Sequence, residues 1–436
     1  MKISLFQGIL LGVFGLGAVI GLFIFATYTS SGSKGAVGSV VIWGTLPKDS
    51  INAVLTAATR ANATFKNVSY VQKDPATLPA DLAAAIATGG APDLVLASQE
   101  ELQPLEKFIV PVPSSTLPAG TFESTFVQEG NLFATPDGTG YYGIPFLVDP
   151  LVLFSNRSLL SSSGIAQPPA TWEALTGLVS QVAQLTPSQQ ITRGLIALGT
   201  YDNVHDARGI LSALFLQTGV SLSSYSTSGV LSAHLGETSS GGGVPSGQAV
   251  LGFYTQFADP SKISYTWNSS LPDSQQAFLA GNLALYLGYA SEARYLETAN
   301  PNLNFSVSPL PQPATASVKS TYGLVYAFMI PRGAKNPAGA YQAALLFTSP
   351  PGQNAAALAT GLAPAVLSEL AAVPATDPVA AVSYAEALYA KGWLSPAPPD
   401  TDQVFSGMIG DVISGRSSSD VALTSAESAL NSFLQQ

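Results

Sequence analysis

From Ser39 onward the chain alternates short apolar runs with amphipathic or Ala-rich segments, the βαβ rhythm of an open α/β sheet carrying helices on its faces. Ser39 to Gly44 reads as a first strand. In Leu78 to Ala87 the apolar residues Leu78, Leu82 and Ile86 share one helical face, Gly89-Gly90 stops the helix, and Pro92-Asp93 leads into a strand over Leu94 to Ala97. Asp273, with Gln276 three residues on, is a capping-box-like start. That helix carries Phe278, ends at Gly281 and gives way to a strand over Leu283 to Tyr289. After a further strand over Tyr322 to Ile330, Asn336-Pro337 supplies an N-cap and first-turn proline for a helix with Ala338, Tyr341 and Leu345 inward. Near the end, Val404, Phe405, Met408, Ile409, Val412 and Ile413 form one helical stripe, stopped by Gly415. Between Ser221 and Gly247, 15 of 27 residues are Ser or Gly, which predicts a long surface insertion or a binding loop.

The 436 residues suffice for two or three compact units and more than one core. With 47% apolar residues the chain can bury enough surface to fold, and disorder is excluded. A net charge of −10 leaves no basic patch for phosphate, so no nucleic-acid partner is expected. Without Cys there is no disulfide, thiolate metal site, thiol nucleophile or lipid-modified Cys, and only His205 and His234 remain for imidazole chemistry.

The amino terminus is a different kind of segment. Ile3 to Ser33 carries no charge, and the nineteen residues Gly8 to Ala26 are almost wholly apolar, long enough as a helix to cross a hydrocarbon layer of about 30 Å. A cleaved signal has a shorter apolar region and a small-x-small site, and no clean Ala-x-Ala follows Ala26. Residues 1–30 are therefore read as one transmembrane anchor, with cleavage near Ser31 to Ala36 as the alternative, and 31–39 as a flexible Ser/Gly tether. Lys2 and the terminal amine on one side favour export of the long remainder, so the body is expected outside the cytoplasm at a membrane surface.

Six segments in order carry a resemblance. They are Val41-Ile42-Trp43; Leu82 to Val95 with its Gly-x-x-Pro-Asp turn; Tyr142-Gly143-Ile144-Pro145-Phe146; Leu153 to Leu159; Gly164 to Leu175 with Pro168-Pro169-Ala170-Thr171-Trp172; and Ala277 to Leu285. Pro309-Leu310-Pro311 and Ala343 to Pro364 continue the pattern. Over about residues 40 to 435 the chain resembles the extracellular solute-binding proteins of ABC importers, in their carbohydrate-type, maltose-binding-protein-like group. It departs from that family in lacking the lipid-anchoring Cys, in Ser155 and Arg157 where Tyr and Lys are usual, and in Asn282 and Leu285 where Lys and Met are frequent.

The resemblance implies a two-lobed α/β fold of the periplasmic-binding-protein type II-like kind, preceded by the anchor. Lobe 1 would comprise 40–147 plus 308–350, and lobe 2 would comprise 148–307 plus 351–436. Hinge crossovers fall near Pro145 to Leu153, Val307 to Gln312 and Pro350 to Pro364. It further implies a small solute, a sugar or oligosaccharide, held between the lobes, ABC permease subunits and an ATPase as partners, a monomer, no cofactor and no enzyme activity.

Ligands of such sheets sit beyond the carboxyl ends of strands, which selects Trp43 and Thr45, Gln99 and Glu100, and Tyr289 and Glu292. The crossover adds Asp149, the loop Gly199 to Asp206 adds Tyr201, Asn203 and Asp206, and another irregular stretch adds Trp267. Sugars need flat aromatic platforms together with carboxylates and amides, and these are the residue types present. Trp43 reads equally as core packing, Glu100 and Asp149 equally as a helix cap or hinge ion pair, Trp172 as packing behind N-cap Thr171, and His205 as a surface-loop residue. Metal-ligand, nucleophile-elbow and phosphate-loop motifs are absent, so no metal site or catalytic residue is expected. Two alternatives stay open: a two-lobed surface sensor or adhesion module, and a glycosidase using Asp149 with Glu100 or Asp206.

Overall fold

A computed structural model describes residues 37–236, 246–373 and 376–435. The anchor expected over 1–30, and the tether as far as residue 36, lie outside these residues; among those described, no helix is long and apolar enough to cross a membrane.

Eight strands frame the molecule: β1 (Val40–Gly44), β2 (Val68–Gln72), β3 (Leu94–Ser98), β4 (Gly143–Asn156), β5 (Ile191–Ile196), β6 (Leu283–Tyr289), β7 (Phe305–Ser308) and β8 (Thr321–Met329). Their order is β2-β1-β3-β8-β4-β6-β5, with β7 also on β4. β1 pairs in parallel with β2 and β3, whereas β8 is antiparallel to both β3 and β4. The amino-terminal half of β4, Gly143 to Pro150, pairs with β8; its carboxy-terminal half, Leu151 to Asn156, pairs with β6 and β7. One strand thus belongs to two sheets, and these are the two lobes of a periplasmic-binding-protein-like fold.

Local chemistry accounts for the elements. β3 is buried at all five positions, as a strand covered by helices on both faces must be. The helix Lys48–Ala61 buries Ile51, Val54, Leu55 and Ala58, spacings that lie on one helical face, beneath lobe 1. The predicted caps are made: Asp273 accepts from Gln275 N–H and Gln276 N–H, Thr171 from Ala174 N–H, and Asn336 from Gly339 N–H. Trp172 is buried, its indole N–H donating to Gln217. Of the Ser/Gly-rich stretch, 221–236 forms a hairpin rather than an irregular loop. Glu427 of the last helix accepts from Leu235 N–H and Gly236 N–H, and Asn431 from Ala233 N–H.

Around the hinge, Ala363–Pro364 lies beside Leu147 and Val148 of β4. The helix Pro350–Thr360 packs on Lys48–Ala61, so residues 351–360, assigned to lobe 2 by sequence, sit against lobe 1; their apolar face matches the first helix of that lobe. The helices Pro398–Ile413 and Ser419–Leu434 pack together and with lobe 2.

The Pro-Asp turn before β3 fastens lobe 1. Asp93 is 6% exposed; its Oδ2 accepts from Val41 N–H at 2.9 Å and its Oδ1 from Asn336 N–H at 2.8 Å. Asp93→Ala orphans two part-buried amides and is expected to cost about 1–3 kcal/mol in urea unfolding, with Asp93→Asn losing less because one acceptor survives. Equal stability of wild type and Asp93→Ala would contradict this assignment.

Candidate functional site

Between the lobes lies a cavity of about 620 Å³. Lobe 1 lines it with Thr45, Ser98, Glu100 and Glu101, and β8 with Leu324 and Tyr326. Lobe 2 contributes Tyr201, Asp202, His205 to Gly209, Asp273, Tyr289 and Asp402. The walls are therefore the ends of β1, β3 and β6 together with the loop leading into the helix Ala207–Gln217, where ligands of open α/β sheets are found.

At the end of β3 a single turn separates three roles. Ser98 N–H and O–H both donate to Glu101 Oε2, at 2.8 and 2.6 Å, closing a capping box. Gln99 is fully buried, donating to Gly323 C=O and accepting from Val325 N–H, so it sews β3 to β8 and does not reach the cavity. Glu100, between them, accepts a two-pronged bond from Arg208, from Nε at 3.1 Å and Nη2 at 2.8 Å, and another from the Tyr322 hydroxyl. The third Arg208 nitrogen, Nη1, donates to Asp402 Oδ2 at 2.6 Å, and Asp402 in turn accepts from the Tyr201 hydroxyl. Glu100 belongs to lobe 1 and Arg208 to lobe 2, so this ion pair spans the cleft.

Deeper along the cleft the acids lack such partners. Asp149, 4% exposed on β4, accepts from Ser291 N–H at 3.1 Å and Ser291 O–H at 2.6 Å. Burial pushes its carboxyl up to about 7 despite the Ser291 bonds, with a smaller push from Glu292. Glu292 accepts from Tyr289 N–H at 2.7 Å, from the Gln275 amide at 2.6 Å and from the Tyr286 hydroxyl. Asp206 occupies the left-handed backbone region at φ 56°, rare for a non-glycine residue, and makes no side-chain cap for the helix it begins. Its Oδ2 is sealed from solvent with no hydrogen-bond partner, and burial followed by the charge of Glu292 holds its pKa well above the usual carboxylate range.

Of the residues selected by sequence, Thr45, Glu100, Tyr201, Asp206 and Tyr289 line the cavity. Asp149 and Glu292 stand behind that wall, joined through Ser291 and Tyr289. Asn203 is a loop fastener, its amide donating to Asn268 C=O and Leu271 C=O. Trp267, 1% exposed, packs in the lobe 2 core with its indole N–H on Asn203, because its ring fills space beneath the loop. Trp43 is half-buried at the edge of β1, with Lys73 Nζ 3.9 Å from its ring centroid. Sequence reasoning did not single out Arg208, Tyr326 or Asp402. Arg208, two residues beyond the selected loop, was within reach of it, whereas Asp402 comes from a helix far along the chain.

The family model described as bacterial extracellular solute-binding protein matches residues 53–382. No curated protein matches the sequence. Among solved structures, the cyclic alpha-maltosyl-1,6-maltose binding protein from Arthrobacter globiformis aligns with a TM-score of 0.74 and 17% identity over 92% of this chain and 100% of that one. A cyclo/maltodextrin-binding protein complexed with maltotetraose gives 0.71 and 16% over 93% and 99%. The GacH receptor of Streptomyces glaucescens, solved unliganded and with acarbose, gives 0.67 and 17% over 91% and 98%.

Two outcomes follow from the charge arrangement. Arg208→Ala strands Glu100, 3% exposed, without its cation, and is expected to lower stability by about 2–4 kcal/mol in chemical unfolding. Arg208→Lys should recover only part, since an ammonium cannot reproduce the fork; full recovery would show that the fork is unimportant. Glu101 is pushed from 4.5 up to about 7, chiefly by burial and against the pull of its Ser98 bonds. A raised carboxyl stabilises the fold below its unfolded pKa and loses that contribution as pH rises through the folded one. Wild type should therefore lose up to about 3 kcal/mol between pH 4.5 and 7.5 that Glu101→Gln, which keeps an acceptor for Ser98, does not lose. Parallel stability curves for the two proteins would refute this.

Proposed function

The chain belongs to the bacterial extracellular solute-binding protein family, and from that premise we propose that it captures a sugar or oligosaccharide outside the cytoplasm and presents it to an ABC permease with its ATPase. The observation that carries this reading is the interlobe cavity of about 620 Å³, a size suited to a small solute, bounded by hydroxyls, carboxylates and the tyrosines Tyr201, Tyr289 and Tyr326. Phenol rings offer flat faces to sugar C–H groups, and the acids and hydroxyls offer directional acceptors to its O–H groups. Thr45 adds a buried hydroxyl that has no partner in the protein. The structural neighbours include a cyclo/maltodextrin-binding protein and proteins solved with acarbose and with mannotriose, which supports carbohydrate over other small solutes.

A ligand that prefers the closed lobes shifts the open–closed equilibrium toward closure, and the permease would read that state. Binding without turnover is the better account of the acids. Glu100, one member of the pair a glycosidase would need, is already spent on Arg208 and Tyr322. Sensor and adhesion roles would use the same capture step with a different reader.

A thermal-shift screen of the full chain against mono- and oligosaccharides, polyols, amino acids and peptides tests the proposal. A cognate sugar at 100 times its dissociation constant should add about 2.7 kcal/mol of stability. A shift with an amino acid or peptide and none with any sugar would reject the carbohydrate assignment.

A further inference from the structure

Beside the Glu100–Arg208–Asp402 cluster of the cleft lies a second group of acids that forms no ion pair with Lys or Arg among the described residues. His205, Asp206 and Glu292 each offer one ligand atom, and the three atoms lie within 4.8 Å of one another. Two donors on one ion are separated by at most twice the bond length, about 4.4 Å for bonds of about 2.0 to 2.2 Å, so atoms within 4.8 Å of one another need draw together by only a few tenths of an ångström to share one ion. Among the described residues, no Lys or Arg forms an ion pair with Asp206, Glu292 or the neighbouring Asp149, and Arg208 is engaged by Glu100 and Asp402.

Each member is held in a way that suits a ligand. Glu292 is oriented by Tyr289 N–H, Gln275 and Tyr286, which fix the carboxylate and leave lone pairs over. His205 Nδ1 lies 3.5 Å from Asp273 Oδ2, and a carboxylate beside one ring nitrogen leaves the other for an ion. Asp206 Oδ2 adds to this: it is sealed from water and finds no donor, and the Asp206 carboxyl contacts that of Glu292. A buried oxygen of this kind beside a second carboxylate is costly unless a positive charge or a proton stands between them.

We propose that His205, Asp206 and Glu292 form a site for one first-row divalent cation, Mn²⁺ or Zn²⁺ by donor type, whose remaining coordination positions face the interlobe cavity and accept oxygen atoms of the captured solute. Imidazole with carboxylates is the donor mixture these ions share, and three protein ligands leave positions vacant for a further ligand. His205 and Asp206 both border the cavity, which places those positions within reach of vicinal hydroxyls. The site stands on its own geometry; only its part in solute capture rests on the binding function proposed above.

The test uses the full chain in detergent, stripped with a chelator and without sugar. MnCl2 is titrated against it by electron paramagnetic resonance of free Mn²⁺, and ZnCl2 by calorimetry. One saturable site per chain is expected, weakened at least about tenfold in His205→Ala and in Asp206→Asn. His205→Gln serves as a second variant at the ring position, and melting in excess chelator establishes that each variant is folded. Absence of saturable binding by wild type, or equal affinity in Asp206→Asn, overturns the site; the first result would mean that the carboxyl pair holds a proton instead. A chain that binds Mn²⁺ and whose sugar-induced melting shift is the same with and without it keeps the site and overturns its part in capture.

Discussion

The structure depends on β4 being shared. All 14 residues from Gly143 to Asn156 are buried, and the strand pairs first with β8 and then with β6 and β7. A slip of one residue would turn every side chain of this strand to the opposite face, so the register of both lobes against it is set by a single segment. The exchange of partners falls at Pro150 and Leu151, and Pro150 has no N–H to give to either ladder. The ladder between the lobes is thereby interrupted at one point, which is the geometric condition for a hinge rather than a diffuse flexing. Asp149 sits at that exchange with its carboxylate tied to Ser291, so the hinge and the cleft wall are physically one piece.

Charge is scarce in this chain, at 10% of residues, yet it gathers at the cleft. There it divides into two regions. Glu100 and Asp402 share the single cation Arg208, with Tyr322 and Tyr201 satisfying further lone pairs. Such a buried, two-pronged pair contributes geometry more than net stability, because its attraction offsets a large loss of hydration. It fixes one side of the cavity at a defined separation. The Asp149, Asp206 and Glu292 region has hydrogen bonds but no ion pair with Lys or Arg among the described residues, so an added positive or protic group would find unsatisfied oxygen there.

The scaffold was legible because its signals are local. Gly89-Gly90, Asp273 and Asn336-Pro337 each act within a few residues of themselves, and the elements they bound begin and end where those residues place them. The candidate site was legible only as a set of loops. A strand-end rule names Gln99 and Glu100 together and cannot tell which of the two side chains turns outward; the capping box made by Ser98 and Glu101 decides that. Asn203 and Trp267 have the chemistry of sugar contacts but satisfy each other beneath the loop, a pairing across 64 residues that no local pattern carries. Asp402 is drawn in by Arg208 across 194 residues for the same reason.

The two regions of the cleft meet at the start of one helix. Ala207, Arg208 and Gly209 follow Asp206 directly, so the residue that spans the lobes and the residue with the unanswered oxygen are separated by a single position. Gly209 allows this crowding: a Cβ there would lie 2.7 Å from the Tyr289 hydroxyl, and the ring would have to swing away from the helix. Tyr289 heads the turn whose Glu292 accepts its N–H, so displacing the ring would also disturb the carboxylate that faces Asp206. Glycine at this position, rather than any single polar contact, lets the end of β6 and the loop of the second lobe approach closely enough to build one wall from both.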